Sequence, residues 1–111
     1  MATTPTVLVP SKIVENTQTT QYTATNVIAI IDKVTATNYS AGAQTLSISL
    51  ITVGDTAGNQ NLTAKTIALQ AGESYGFPEI TGHVLKVGGY ISTIASAASS
   101  INLRISGREI T

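Results

Sequence analysis

The side chains with the clearest chemical potential in this 111-residue chain are one histidine and six carboxylates. A catalytic base or a zinc site requires His83 to lie near suitable partners, yet the chain has no cysteine and no second histidine. We therefore interpret His83 as a structural or surface residue beside a glycine turn. The carboxylates are scattered along the sequence, at Glu15, Asp32, Asp55, Glu73, Glu79 and Glu109.

Two groupings of these carboxylates resemble catalytic or metal-binding patterns, and both fail on inspection. Glycosidase-type chemistry needs two carboxylates facing each other across a cleft, whereas Glu73 and Glu79 lie in the turn-like stretch GESYGFPE, which favours solvated or turn-capping roles. The loop that starts at Asp55, DTAGNQN, suggests a calcium loop, but its glycine comes too early and no glutamate closes it. The sequence therefore predicts no catalytic residue, no cofactor, no metal ligand and no enzymatic activity.

The composition indicates a protein that works as a surface. Only 11% of the residues are charged, where about 25% is typical, and the formal net charge is zero. A surface rich in hydroxyls and poor in charge suits a protein packed in an assembly, although a weakly charged monomer remains the alternative. We expect no nucleic-acid binding, because the Lys and Arg residues form no basic cluster.

Membrane insertion and secretion are also not expected. The longest apolar run is VIAII, from Val27 to Ile31, far shorter than the ~20 residues that a membrane helix needs. The stretch MATTPTVLVPSK lacks a basic segment followed by a long apolar one, so it does not read as a signal peptide.

The elements that must position any site are β-strands. About eight short runs rich in Thr, Ile and Val recur roughly every 8–12 residues, separated by Gly or Asn, a spacing typical of a β-sandwich or a barrel. Of these two we expect an all-β, single-domain β-sandwich of antiparallel strands. The longest candidate covers residues 27–40. The cleanest alternation is TLSISLITV, which predicts Leu46, Ile48 and Leu50 facing inward with Ser47 and Ser49 exposed.

Three further stretches make specific predictions about connections. The half-repeats LQAGESY (residues 69–75) and LKVGGYI (residues 85–91) each place a glycine between apolar runs, which predicts corners where the chain changes sheet. The closing stretch VGGYISTIASAASSINLRISGREIT reads as two strands joined by a turn of small residues, a final hairpin.

The first twenty residues differ from the remainder. Pro5 and Pro10 flank a short apolar stretch, and proline cannot donate to a central strand, so residues 1–20 are predicted to form an extended N-terminal arm or an edge strand. Residues 21–111 then form the β-sandwich domain.

Several segments together resemble the small virion proteins of tailed bacteriophages. They are VLVPSKIVENTQTTQYTA, IIDKVTATN, AGESY and GHVLKVGGYISTIASAASSINLRISGREI, and they cover most of the chain. Within that group the chain most resembles the capsid decoration, or cement, proteins of short-tailed phages. None of these segments carries a catalytic signature.

The resemblance implies a jelly-roll-like sandwich that binds the outside of an assembled capsid and clamps neighbouring major capsid subunits. The implied partner is the major capsid protein, with a homo-oligomer (dimer or trimer) on the capsid surface, assembled in the host cytoplasm. The alternative is a tail, head-completion or fibre and receptor-binding module of a phage.

Candidate partner contacts follow from the apolar residues of the arm, which can pair with an exposed edge of a neighbour. They are Val7, Leu8 and Val9, together with Ile13 and Val14. The competing interpretation is that they form the edge strand of this domain itself. The run VIAII is the second candidate contact, as part of a homo-oligomer interface, against simple burial in the core.

Overall fold

β-Branched residues dominate the chain, and they fold into strands almost throughout. The computed structural model describes residues 2–111; Met1, the first residue of the predicted arm, lies outside the described residues. The nine strands are β1 (Thr3–Ile13), β2 (Thr19–Thr23), β3 (Ile28–Asn38), β4 (Gln44–Ile51), β5 (Leu62–Leu69), β6 (Ser74–Tyr75), β7 (Val84–Leu85), β8 (Tyr90–Ala95) and β9 (Ile101–Ile110).

These strands form two antiparallel sheets. Sheet A has the order β1-β9-β3, and the far side of β3 pairs with β6 at one end and with β7 at the other. Sheet B has the order β2-β8-β4-β5. The prediction of an all-β, single-domain sandwich is confirmed. No helix in the described part of the chain is long and apolar enough to cross a membrane.

The core lies between the two sheets and takes alternate residues from each. Leu103 and Ile105 of β9 are fully buried, as are Ile31 of β3 and Ile48 of β4. Phe77, in the loop between β6 and β7, is also fully buried. Full burial of each such side chain contributes roughly 1.5–3 kcal/mol, which makes this single core the main source of stability.

Both predicted corners are present. The chain leaves sheet B at the end of β5 and enters sheet A at β6, and it returns to sheet B between β7 and β8. Gly72 and Gly88 lie in these corners with φ of +79° and +84°, a conformation that L side chains rarely adopt. The glycine in each half-repeat is therefore the feature of the sequence that indicates a corner.

The predicted final hairpin is wrong. β8 belongs to sheet B and β9 to sheet A, so residues 96–100 carry the chain across the sandwich instead of turning it back within one sheet. Both strands bury alternate residues, and alternation reveals that a strand has a buried face without revealing which sheet it joins.

The prediction of exposed serines on β4 is also wrong. Ser47 and Ser49 do alternate with Leu46 and Ile48, yet both serines are buried. Both serines line a pocket together with residues 57–59 and with residues of the neighbouring strand β5, whose pairing with β4 is irregular. The backbone N–H of Thr66 donates to the Ser47 hydroxyl at 2.8 Å. The second face of β4 is thus covered by neighbouring chain instead of facing solvent.

Candidate functional site

The N-terminal segment forms the edge of sheet A. β1 runs antiparallel to β9 from Thr3 opposite Ile110 to Ile13 opposite Asn102. Of the two interpretations of this segment, the structure shows the edge strand. No second strand pairs with β1 anywhere in residues 2–111. One side of an eleven-residue strand therefore offers unpaired backbone groups, which we call the open edge.

The five predicted contact residues separate into two groups. Val7 and Ile13 lie at the surface, with 40% and 50% of their area exposed. Leu8, Val9 and Val14 are buried in the core of the domain. The structure therefore leaves Val7 and Ile13 accessible to a partner.

Two irregularities in β1 explain this separation. The register with β9 shifts between Val7 and Val9 and again between Val9 and Lys12. A bulge places two consecutive residues where one is expected, so Leu8 and Val9 both face the core. Pro10 falls within the second irregularity, where a missing N–H interrupts the ladder least.

The outer face of sheet A carries further apolar side chains beside the open edge. Within VIAII, Ala29 and Ile31 are buried in the core, so the alternation of β3 turns Ile28 and Ile30 to the opposite face. Residues directly opposite each other in a sheet share a face. Ile28 is opposite Ile110 of β9, and Ile30 is opposite Val84 of β7, which is itself exposed.

An ion pair lies next to these residues. The Arg108 guanidinium donates through Nε to Oδ2 of Asp32 and through Nη2 to Oδ1, each at 2.9 Å. Hydrogen bonding to Asp32, and then its charge, raise the pKa of Arg108 above its ordinary value. Such bidentate pairs are geometrically well defined, while their exposure limits their contribution to stability.

A bulge in β3 allows this pair to form. The register between β3 and β9 shifts between Ile31 and Lys33, so Asp32 is the extra residue. Bulges commonly redirect a side chain; Asp32 and Lys33 are both exposed here, while Ile31 and Val34 on either side are buried. We call the set formed by Ile28, Ile30, Val84, Ile110, Asp32 and Arg108 the outer patch.

Sequence reasoning missed the Asp32–Arg108 pair, although one signal was present. Two consecutive charged residues, Asp32 and Lys33, interrupt the apolar alternation between Ile31 and Val34. Such an interruption is the pattern that a bulge leaves in a strand buried on one face. Nothing in the sequence indicated that Arg108 would lie opposite.

His83 is exposed and lines a surface cleft of about 360 Å³ together with Asp55, Lys86, Gln60 and Asn61. The Asp55 carboxylate accepts from the backbone N–H of Thr56 at 2.8 Å, so it already stabilises its own loop. Across the described residues, no cluster of three His, Cys, Asp or Glu residues could hold a metal ion.

Glu73 and Glu79 each form a hydrogen bond with a residue close to them in the sequence. Glu73 Oε1 accepts from the backbone N–H of Gln70 at 2.7 Å. Glu79 Oε2 accepts from the Tyr75 hydroxyl at 3.2 Å, and burial, followed by the charge of Glu79, raises the pKa of Tyr75. Oε1 of Glu79 is buried without a hydrogen-bond partner. Glu73 and Glu79 thus anchor the segment around β6.

The surface with the most distinctive geometry is therefore the open edge of β1 with the adjoining outer patch of sheet A. Its residues come from β1, β3, β7 and β9, and the one carboxylate of the outer patch, Asp32, is paired with Arg108. This surface presents unpaired backbone groups, exposed aliphatic side chains and one ion pair. No family model, curated protein or solved structure matches this chain.

Proposed function

We propose that this chain is a structural, non-enzymatic virion protein of a tailed phage. It binds the outside of an assembled capsid through the open edge of β1 and stabilises the capsid by clamping neighbouring major capsid subunits. The observation that carries the proposal is the open edge itself: eleven residues of strand with one side unpaired, held on a rigid sandwich. The likeness of its segments to phage decoration proteins supports the choice of partner.

The strand orders support a jelly-roll connectivity for the proposed protein. If β6 and β7 are counted as two pieces of one strand position, each sheet has four positions, and every connection except the one from β4 to β5 carries the chain to the other sheet. Each sheet pairs strands from the two ends of the chain, β1 with β9 in one and β2 with β8 in the other. Two interlocking four-stranded sheets of this kind are typical of jelly rolls.

The mechanism is linkage. A protein that binds the assembled shell better than the free subunits shifts the equilibrium towards the shell. Many copies attached to one lattice add avidity without any covalent step. A surface with little charge tolerates this close packing, and the chain carries no net charge to oppose it. The expected assembly on the shell is a dimer or trimer of this chain.

Pairing at the open edge must be selective. An exposed strand edge attracts any other strand, and edge prolines are one means of preventing this. Pro5 and Pro10 each remove one donor from β1, which restricts the registers in which a strand of a neighbour can align. Val7 and Ile13, exposed on the same strand, supply the side-chain contacts that select among them.

The first test is the number of copies in purified particles, measured by quantitative mass spectrometry. Near-stoichiometric amounts relative to the major capsid protein are expected of a decoration protein. An amount sufficient only for one closed ring would replace this proposal with a head-completion, tail or fibre role. Complete absence from particles would remove the proposed virion function.

The second test addresses the surface. A Val7→Asp/Ile13→Asp variant places charge on the β1 contacts at positions already exposed, and Val53→Asp, at a residue 61% exposed in a loop, is the matched control. We expect the double variant to bind purified shells at least about tenfold more weakly, and the control to bind as the wild type does. Equal binding of all three proteins would exclude the β1 surface as the contact.

A further inference from the structure

We propose that a cleft on the outer face of sheet B binds one acidic pyranose sugar, such as a glucuronic acid unit. The cleft has a volume of about 210 Å³ and is lined by residues of β4, β5 and β8 and of the loop at residues 57–59. We call it the serine cleft, because Ser47 and Ser49 of β4 line it. It lies on the sheet that does not contain β1, so this proposal does not depend on the proposed virion function.

The Ser49 side chain is the feature of the serine cleft that points to a ligand. Ser49 is only 1% exposed and lines the cleft. Its hydroxyl forms no hydrogen bond with another group of residues 2–111, whereas the hydroxyls of its neighbours Ser47 and Ser92 each accept one. A hydroxyl that can both donate and accept matches the hydroxyls of a sugar, which do the same.

Two more polar groups of the cleft are held in place by the chain and keep a hydrogen-bonding position for a ligand. The Ser47 hydroxyl accepts from the backbone N–H of Thr66 at 2.8 Å, so its O–H remains able to donate. The Gln18 amide donates through Nε2 to the Ser92 hydroxyl at 2.7 Å, so its Oε1 remains able to accept. The cleft thus offers donors and acceptors side by side, as adjacent sugar hydroxyls require.

Aliphatic side chains form the apolar part of the cleft. Leu62 and Ile94 both line it, and the strand register places Leu62 opposite Ser49 and Ile94 opposite Ser47. The C–H groups of a pyranose ring can pack against these side chains while its hydroxyls bond to the serines. An apolar lining with a few well-placed polar groups is typical of small-molecule sites.

The charge of the cleft favours an acidic sugar over a neutral one. Lys65 is the single charged residue among the described residues that line it. Its ammonium forms no salt bridge within residues 2–111, where both salt bridges involve other cations. A carboxylate on the sugar would give Lys65 a charge-assisted hydrogen bond, which is stronger than a bond between neutral groups.

An irregularity in β5 places Lys65 at the cleft. The register of β4 with β5 shifts between Leu46 and Ile48. Two residues of β5, Lys65 and Thr66, therefore lie opposite Ser47 alone, and both are exposed and line the cleft. Bulges commonly redirect side chains and occur next to active sites. The bulge of β5 thus supplies the charged side of the cleft.

The size of the cleft limits the ligand to one ring. Its volume of about 210 Å³ is below the ~300–1,000 Å³ of pockets for drug-sized molecules. A single sugar ring with its substituents is therefore the largest sugar unit that we expect inside it. Further units of a longer glycan would extend into solvent.

The first experiment titrates the isotope-labelled full chain with methyl glucuronide and records amide NMR spectra. We expect saturable shifts around Ser47, Ser49 and Lys65 at roughly millimolar sugar, as befits a small ligand with few contacts. Ser49→Ala removes no hydrogen bond of the fold and should weaken binding at least about threefold. The matched control is Ser106→Ala, at a half-buried serine of β9 in sheet A, which should bind as the wild type does.

Three results of this titration would overturn the proposal. They are the absence of saturable shifts up to about 100 mM sugar, shifts confined to another surface, and equal binding by Ser49→Ala and the wild type.

Two further probes separate the ring from the charge. Methyl glucoside keeps the ring without the carboxylate, and acetate keeps the carboxylate without the ring. We expect each to bind at least about threefold more weakly than methyl glucuronide. Lys65→Gln should remove the preference for the glucuronide over the glucoside, while Lys33→Gln, at an exposed lysine of sheet A, should retain it. Equal binding of glucoside and glucuronide would overturn the assignment of an acidic sugar, and acetate binding as tightly as the glucuronide would overturn the assignment of a sugar.

Discussion

Replacing Gly107 by alanine is expected to destabilise the fold strongly for a change of one carbon atom. Gly107 of β9 is buried between Thr6 of β1 and Ile31 of β3, at the bulge that presents Asp32. A methyl group there would overlap the backbone carbonyl oxygen of Ile30 and approach the Leu8 Cδ1 atom to 2.9 Å. Because the carbonyl belongs to a hydrogen-bonded central strand, it cannot move aside as a flexible side chain would.

The size of the effect follows from this contact. Inserting one carbon into a well-packed core usually costs 1–3 kcal/mol, and a rigid backbone neighbour places Gly107→Ala in the upper half, at about 2–3 kcal/mol. Unfolding entropies of about 2.1 cal/mol/K per residue give roughly 4 °C of melting temperature per kcal/mol for 111 residues. The expected decrease is therefore about 8–12 °C.

The assay is thermal unfolding followed by circular dichroism, with Gly42→Ala as the matched control. A Cβ at Gly42 would have no atom within 4 Å, and this glycine does not have a positive φ. The control should keep its melting temperature or gain slightly, since alanine reduces the entropy of the unfolded chain. A Gly107→Ala protein that melts with the control would refute the close approach of β3 and β9 at the bulge.

Three further changes test other parts of the structure. Asn38→Ala removes a buried amide that donates to two main-chain carbonyls and accepts from Ser40, so urea titration should show a loss of about 2–3 kcal/mol, against no change for the exposed Asn59→Ala. Burial, and then the hydrogen bond to Glu109, raise the pKa of Tyr22 above its ordinary 10.0. Because the unfolded chain then loses this proton at a lower pH than the folded chain does, the free energy of unfolding should decline as the pH rises above about 10. The variant Tyr22→Phe should flatten this decline. Thr66 has φ of +43°, so Thr66→Gly should gain up to about 1 kcal/mol, and a loss in chemical denaturation would contradict that strain.

Local pattern predicted the strands well and their partners poorly. In β3, Val34, Ala36 and Asn38 face the core as their alternation indicates, and in β9 Leu103 and Ile105 do the same. The pairing of β9 with both β1 and β3 involves residues far apart in the sequence, which no local pattern encodes. The local pattern therefore predicts a hairpin where the chain in fact crosses between the sheets from β8 to β9, because two consecutive amphipathic strands more often pair with each other.

The candidate surface was predicted in part, for a related reason. The prolines around Val7 correctly marked an edge, since proline is excluded from central strands. Strict alternation, however, cannot anticipate a bulge, and the bulges of β1 turn both Leu8 and Val9 inward. The same limitation concealed Asp32, whose position depends on an irregularity in β3.

The position of the last two strands has a consequence for how the chain folds. β9 separates β1 from β3, and β8 separates β2 from β4, so sheet B cannot close before residues 90–95 have emerged from the ribosome, nor sheet A before residues 101–110 have done so. The long chain closures involved are slow, and proteins rich in such non-local pairings fold in about milliseconds to seconds. During synthesis the edges of the earlier strands remain unpaired until these last strands are available. Because the earlier strands carry few charged residues, little prevents their edges from pairing with other nascent chains.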